Sequence, residues 1–340
     1  MYTAAFEDRE RIPRYIKYFL ENTSQYERIN LITSASQKME KNGSGQINII
    51  SLAKLERFSD IVNLFESIYI HASVNSPKFE KACFIRWLAL NSATKHLSSN
   101  EWVCMLDTDL ILGMSPEEIL SIAQSQYGDD DLEFIAEWNF QKDMAIGPEV
   151  TFMKKGTLVQ FCEFIMIIFF EKATHLQARL IYFDRISRGL GGGISDMTAL
   201  ALFMKQKELK SFNLLDLNVP MLIPNLKIFA QNLAKENNYP KWAITYYDQK
   251  LLLTLGQDRI PLIGIHCQGG AKNQMANLIG SYGSKYWDSI MEPKKLLSSD
   301  TYSANGGKYL VAKPQQYLMK KANKFLTFSP ISIQSILAST

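Results

Sequence analysis

The run Trp102-Val103-Cys104-Met105-Leu106-Asp107-Thr108-Asp109 constrains the fold of this 340-residue chain more than any other stretch. Val103 to Leu106 is short and wholly apolar, the pattern of a strand buried on both faces at the centre of a parallel sheet. Such a strand needs helices layered on either side, so this one segment already predicts an α/β chain. Two carboxylates then follow where the strand must leave the sheet. In an extended backbone, positions i and i+2 point to one side, so Asp107 and Asp109 are expected to converge. An acidic turn accounts readily for one Asp, less readily for two set against Leu106 and Leu110. Charges that close repel unless a cation lies between them. Oxygen ligands of this type suit Mg²⁺ or Mn²⁺, which keep other positions for water and substrate phosphates.

The surrounding pattern agrees with a layered fold. Tyr2 to Phe6, Ile29 to Thr33 and Ile47 to Leu52 read as strands, with helical spacing over Arg9 to Glu21, Lys54 to Ile70 and Phe79 to His96. Strand–helix alternation of this kind predicts a Rossmann-like, mostly parallel sheet flanked by helices. Ligands of such sheets bind beyond the carboxyl ends of the strands, where Asp107 and Asp109 fall. Further on, Leu132 to Trp138 and Val150 to Met153 read as strands and Gly156 to Lys172 as a buried helix. Ile244 to Tyr247 and Leu251 to Leu255 form a hairpin pattern, and Ile260 to His266 is one more strand. Residues 1–280 are expected to form one catalytic domain and 281–340 a peripheral C-terminal extension.

Composition narrows the class. With 46% hydrophobic and 21% charged residues, the chain has the make-up of a globular protein with a sizeable core. A net charge of +3 argues against general nucleic-acid binding. The charge is uneven: from Ser281 onward eight lysines face Asp288, Glu292 and Asp300. A basic tail of that kind suits a solvated surface, or peripheral contact with an anionic membrane or an acidic acceptor. Cys83, Cys104, Cys162 and Cys267 are far apart, without C-x-x-C spacing, as expected of reduced thiols in a cytoplasmic protein. Glu7 to Glu10 is charged throughout, so no signal peptide is expected. Leu158 to Phe170, interrupted by Glu163, is too short to span a bilayer.

A second constellation lies at His266-Cys267-Gln268-Gly269-Gly270-Ala271-Lys272. His266 ends an apolar strand, and a neutral imidazole completes the coordination of a transition metal such as Mn²⁺ better than that of Mg²⁺. The backbone at Gly269 and the ammonium of Lys272 suit a diphosphate. A strand ending in D-x-D, followed far downstream by H-x-x-G-x-x-K, resembles the nucleotide-sugar glycosyltransferases of the GT-A fold. The likeness is nearest to their retaining, glycogenin- and galactosyltransferase-like (GT8-like) group. It implies that Asp107, Asp109 and His266 hold Mn²⁺ (or Mg²⁺) on the donor diphosphate, with Asp107, Gly269 and Lys272 contacting the donor. One departure stands out: the group has Pro-Trp after the Lys, whereas this chain has Asn273-Gln274.

The same resemblance places other residues. Thr3 and Ala4, at the end of the first strand, would line the base and ribose, and Asp8 would contact the nucleotide. Lys81 and Arg86, on the helix before the D-x-D strand, would reach the donor. Arg86 lies in an apolar stretch and needs an anionic partner, whether the sugar nucleotide, Asp107, Asp109 or an ordinary ion pair. After Gly191-Gly192-Gly193, Ser195 or Asp196 caps a helix, while the glycines would let a sugar approach the backbone. Asp196 would be the catalytic base if the reaction inverts. The activity implied is metal-dependent transfer of a sugar from a nucleotide-diphosphate sugar, a UDP-sugar, to a carbohydrate, lipid or protein hydroxyl, with retention. Two alternatives remain. One is a phosphotransferase of the haloacid-dehalogenase type with Asp107 as nucleophile. The other is a sugar-nucleotide-binding protein without turnover.

Overall fold

A computed structural model of the chain describes residues 1–7, 13–26, 28–34, 47–128, 131–140, 144–189, 193–217, 220–223, 242–247, 250–255, 257–268, 271–272 and 275. Strand β1 (Tyr2–Glu7) leads to helix α1 (Arg14–Thr23), then to β2 (Ile29–Thr33) and β3 (Ile47–Ser51). Helices α2 (Phe58–Ile68) and α3 (Pro77–Ala93) precede β4 (Trp102–Leu106) and the short β5 (Leu110–Leu112). Next come α4 (Pro116–Tyr127), β6 (Phe134–Trp138) and β7 (Ile146–Lys154), then α5 (Lys155–Phe170), α6 (Lys172–Ser187) and α7 (Asp196–Lys207). Last are β8 (Ser211–Asn213), β9 (Met221–Ile223), β10 (Trp242–Tyr247), β11 (Lys250–Leu255) and β12 (Asp258–His266). Asp8, Gly191, Gly192, Gly269 and the segment 281–340 lie outside the described residues.

Two sheets meet at the D-x-D motif. The larger has the order β3-β2-β1-β4-β7-β6-β8. Its first four strands are mutually parallel, β7 runs against both neighbours, and β8 is parallel to β6. The sheet is therefore mostly parallel, as the alternating pattern predicts, with β7 the one reversed strand. The smaller sheet has the order β10-β11-β12-β5, with β9 also on β12.

Both faces of the large sheet are buried, and strand alternation assigns the residues. Ala5, Leu31, Cys104, Leu106 and Phe152 face one core, built with Phe19 and Leu20 of α1, Ile119 of α4 and the small sheet. Ala4, Ile32, Val103, Met105 and Met153 face the other, with Phe84 and Trp87 of α3, Phe161 of α5 and Leu200 of α7. Helix α3 shows why a chain of this sequence packs so. Ser76 caps it by accepting from the Phe79 amide at 3.3 Å, and Pro77 takes the first turn. Glu80, Phe84, Trp87 and Leu88 then line its buried face at helical spacing. Burying a side chain such as Phe84 contributes about 2 kcal/mol, and from another side of the same helix Arg86 reaches Asp107 at the end of β4.

Candidate active site

Asp107 and Asp109 converge through a turn, and extended alternation is not what brings them together. The Asp107 amide donates to the Glu149 carbonyl at 3.0 Å, keeping Asp107 in line with the end of β4, and the Leu110 amide closes back onto the Asp107 carbonyl at 3.2 Å. Thr108 and Asp109 are thereby folded between β4 in the large sheet and β5 in the small one. β5 pairs antiparallel with β12 in a register that sets His266 opposite Leu110. The Cys267 amide donates to the Asp109 carbonyl at 2.8 Å, which fastens the end of β12 to the motif. Register alone decides this encounter, since a one-residue slip would turn His266 to the other face.

The three side chains offer ligand atoms that all lie within 4.8 Å of one another. His266 Nε2 is 3.1 Å from Asp109 Oδ1 and 3.6 Å from Asp107 Oδ2. The outer oxygens of the two aspartates are held by cations. Lys272 Nζ is 2.9 Å from Asp109 Oδ2 and lies 4.8 Å from the centre of the Tyr15 ring. Arg86 Nη1 donates to Asp107 Oδ1 at 2.5 Å. Its Nη2 and Nε both donate to Asp196 Oδ2, the latter at 3.0 Å. Trp87 Nε1 donates to the same oxygen at 3.0 Å, and the Met197 amide to Oδ1 at 3.0 Å.

This arrangement sets the charges. Burial works against an ionised Asp109, but the His266 hydrogen bond and the charges of His266 and Lys272 outweigh it and hold the carboxyl at about 2. Burial likewise works against a charged His266, yet the Asp109 hydrogen bond and the charges of Glu149, Asp109 and Asp107 lift it to about 9. Burial pushes Glu149 up to about 7. Burial, with the neighbouring Glu149 charge, takes Glu137 to about 8. A protonated imidazole thus supplies positive charge between the aspartates. A divalent cation would replace that proton, and a donor set of two carboxylates and one imidazole fits Mn²⁺.

The other expected site residues fall in different places. Lys81 is ion-paired with Glu66 of α2. Thr3 and Ala4 lie in the buried body of β1, whose carboxyl end is Phe6-Glu7. Thr3 lines a cavity with Arg28, Asn30 and Asn48 at the opposite, amino end of the strands. Ser195 caps α7 through the Thr198 amide at 3.5 Å, and Asp196 takes the first helical position. The approach that Gly193 allows is used by the protein's own backbone. Gly193 bridges Ser73, and a Cβ there would meet the Ser73 Cα at 2.3 Å.

Sequence reading missed Trp87, Tyr15, Glu137 and Glu149. Glu149 left a signal, an acid within an apolar stretch, but beginning that strand at Val150 placed it outside. No family model and no curated protein sequence matches the chain. Solved structures to which it is similar include the apo form of mouse xyloside xylosyltransferase 1. That comparison has 7% identity and a TM-score of 0.44 over 69% of this chain and 91% of that one. Another is the galactosyltransferase LgtC in complex with donor and acceptor sugar analogs, with 11% identity and a TM-score of 0.43 over 83% of this chain and 96% of that one.

Proposed function

We propose that the chain is a metal-dependent glycosyltransferase that takes its sugar from a nucleotide-diphosphate sugar, a UDP-sugar, with retention. The observation that carries this reading is the convergence of Asp107, Asp109 and His266 within 4.8 Å, beside Lys272, at the carboxyl end of β4. The two aspartates and His266 would hold Mn²⁺ or Mg²⁺, which when bound supplies charge stabilisation to a departing diphosphate. Lys272, already at the rim of the cluster, would turn its ammonium from Asp109 to the diphosphate oxygens. Arg86 fixes the rotamer of Asp107 and is itself fixed by Asp196. Asp196 has both carboxylate oxygens engaged, which suits holding Arg86 better than removing a proton from an acceptor. With no carboxylate assigned as base, the leaving phosphate is the proton acceptor, as retention permits. In this reading residues 1–280 are the catalytic part, the acceptor is a carbohydrate, lipid or protein hydroxyl, and the site works in the cytoplasm. No helix among the described residues is long and apolar enough to cross a membrane.

Calorimetric titration with a panel of nucleoside-diphosphate sugars, with and without Mn²⁺, tests the proposal. Binding is expected only with the metal, and Asp109→Ala and His266→Ala are each expected to abolish it. No binding to any sugar nucleotide would sink the reading. Phosphate release from a small phosphomonoester, lost in Asp107→Asn, would point to a phosphotransferase instead.

A further inference from the structure

The β4–β7 register pairs Leu106 with Val150, so Asp107 and Glu149 stand side by side on adjacent strands. Like charges in that relation repel, and Glu149 is only 3% exposed, so water does little to relieve them. A carboxyl buried there needs a partner. It has one in the imidazole of His266, whose Nδ1 lies 3.8 Å from Glu149 Oε1. That is ion-pair range, beyond hydrogen-bond length, and a small rotation of either side chain closes it. The opposite ring nitrogen, Nε2, is the one between Asp107 and Asp109. Glu137 crowds Glu149 from the next strand. A Cβ on Gly147 would stand 2.5 Å from Glu137 Cγ and 2.5 Å from Glu149 Oε2, so only glycine leaves space for both acids.

A histidine binds a metal through an unprotonated nitrogen and carries its proton on the other. We infer that Glu149 is a positioning residue that accepts the Nδ1–H of His266 and so presents Nε2 to a divalent cation held by Asp107 and Asp109. The inference rests on the metal reading proposed above. Removing such an acceptor weakens metal binding without touching a ligand, typically by about 10- to 100-fold.

Mn²⁺ binding to the full chain, measured by calorimetry without nucleotide, tests it for the wild type, Glu149→Leu, His266→Ala and the double variant, titrated high enough to load the two aspartates that remain in His266→Ala. Leu removes the acceptor, whereas Gln would keep one in its amide oxygen. Glu149→Leu is expected to lower Mn²⁺ affinity by about 10- to 100-fold and to cost nothing further once His266 is Ala. If the wild type takes up no Mn²⁺, the metal reading itself fails. If the wild type binds and Glu149→Leu binds equally well, Glu149 has no positioning role. If the same loss persists in the His266→Ala background, Glu149 acts by some route other than His266, and the inference is overturned. NMR of nitrogen-labelled histidine in the protein loaded with diamagnetic Zn²⁺, which imidazole binds well, gives a second readout that does not depend on the double variant folding. The His266 proton is expected on Nδ1 and shifted downfield by its hydrogen bond in the wild type, and to lose that shift in Glu149→Leu. A wild-type proton on Nε2 overturns the inference.

Discussion

Arg86 joins two carboxylates that the chain supplies 89 residues apart, Asp107 and Asp196. Its side chain is 12% exposed and that of Asp196 only 3%, so each charge depends on the other. Arg86→Met removes the cation and strands Asp196. Loss of one partner of a buried pair costs about 3–5 kcal/mol, and urea unfolding is expected to show a loss of that size. An unchanged midpoint would mean that Asp196 finds another partner. The need of Arg86 for an anion was legible in the sequence, because an arginine inside an apolar helical stretch requires one. Asp107 was among the partners the sequence offered, and the structure pairs it with Arg86; Asp196 was not, since it reaches Arg86 only through the packing of α7 against α3. Titration belongs at this scale too. His266 sits above its ordinary value at about 9, so its contribution to the metal-free fold is full below about 6.5 and is lost as pH rises through about 9. Glu149, raised to about 7, adds a loss of the same sign as pH rises through that value. With a chelator present, the melting temperature is therefore expected to fall between about pH 6.5 and pH 9. Saturating Mn²⁺, which keeps His266 neutral at all these pH values, should flatten the His266 part of that slope. A melting temperature that rises with pH in chelator would contradict the assignment.

At the scale of elements, β5 matters out of proportion to its three residues. It carries the chain from one sheet to the other and presents the edge that β12 reads. Asn22 of α1 holds it from the far side, donating to the Leu112 carbonyl at 3.2 Å and accepting from the Leu112 amide at 2.7 Å. Asn22→Ala takes the acceptor from the buried Leu112 amide, a cost of about 1–3 kcal/mol, while the Leu112 carbonyl keeps the Tyr26 hydroxyl at 3.4 Å. Mn²⁺ affinity is expected to fall with stability, because His266 is placed by the β5–β12 register. A contrasting variant lies on α4, whose Ser115–Glu118 capping box closes in both directions. Ser115→Ala should cost about 1 kcal/mol with Mn²⁺ affinity unchanged, and an affinity loss there would show that the site is less local than β5 and β12 make it. The long apolar and amphipathic segments were readable as strands and helices from periodicity. β5, β8 and β9 were not, because three residues carry no period. α4 and α6 went unread, and α1 begins at Arg14 after Pro13, later than its apolar spacing suggested.

For the molecule as a whole, the sheet order was beyond the sequence while its consequence was not. Alternation of strands and helices predicted ligand chemistry at the carboxyl ends of parallel strands, and the cluster of Asp107, Asp109 and His266 lies there. The sequence could pair Asp107 and Asp109 with His266 by the kind of chemistry each supports. It could not show that a second sheet delivers His266, or that Glu149 lies behind it. Those facts depend on strand neighbours distant in sequence. Asp109 and His266, in contact at 3.1 Å, are separated by 157 positions. Closing so long a loop is slow and entropically expensive, and contacts of this range form late in folding. The two-sheet seam therefore gives the site a timetable. After dilution from denaturant, helical signal is expected to return before Mn²⁺-binding competence, with the lag set by docking of β12 onto β5. A chain captured in that interval would hold its two aspartates with nothing opposite them.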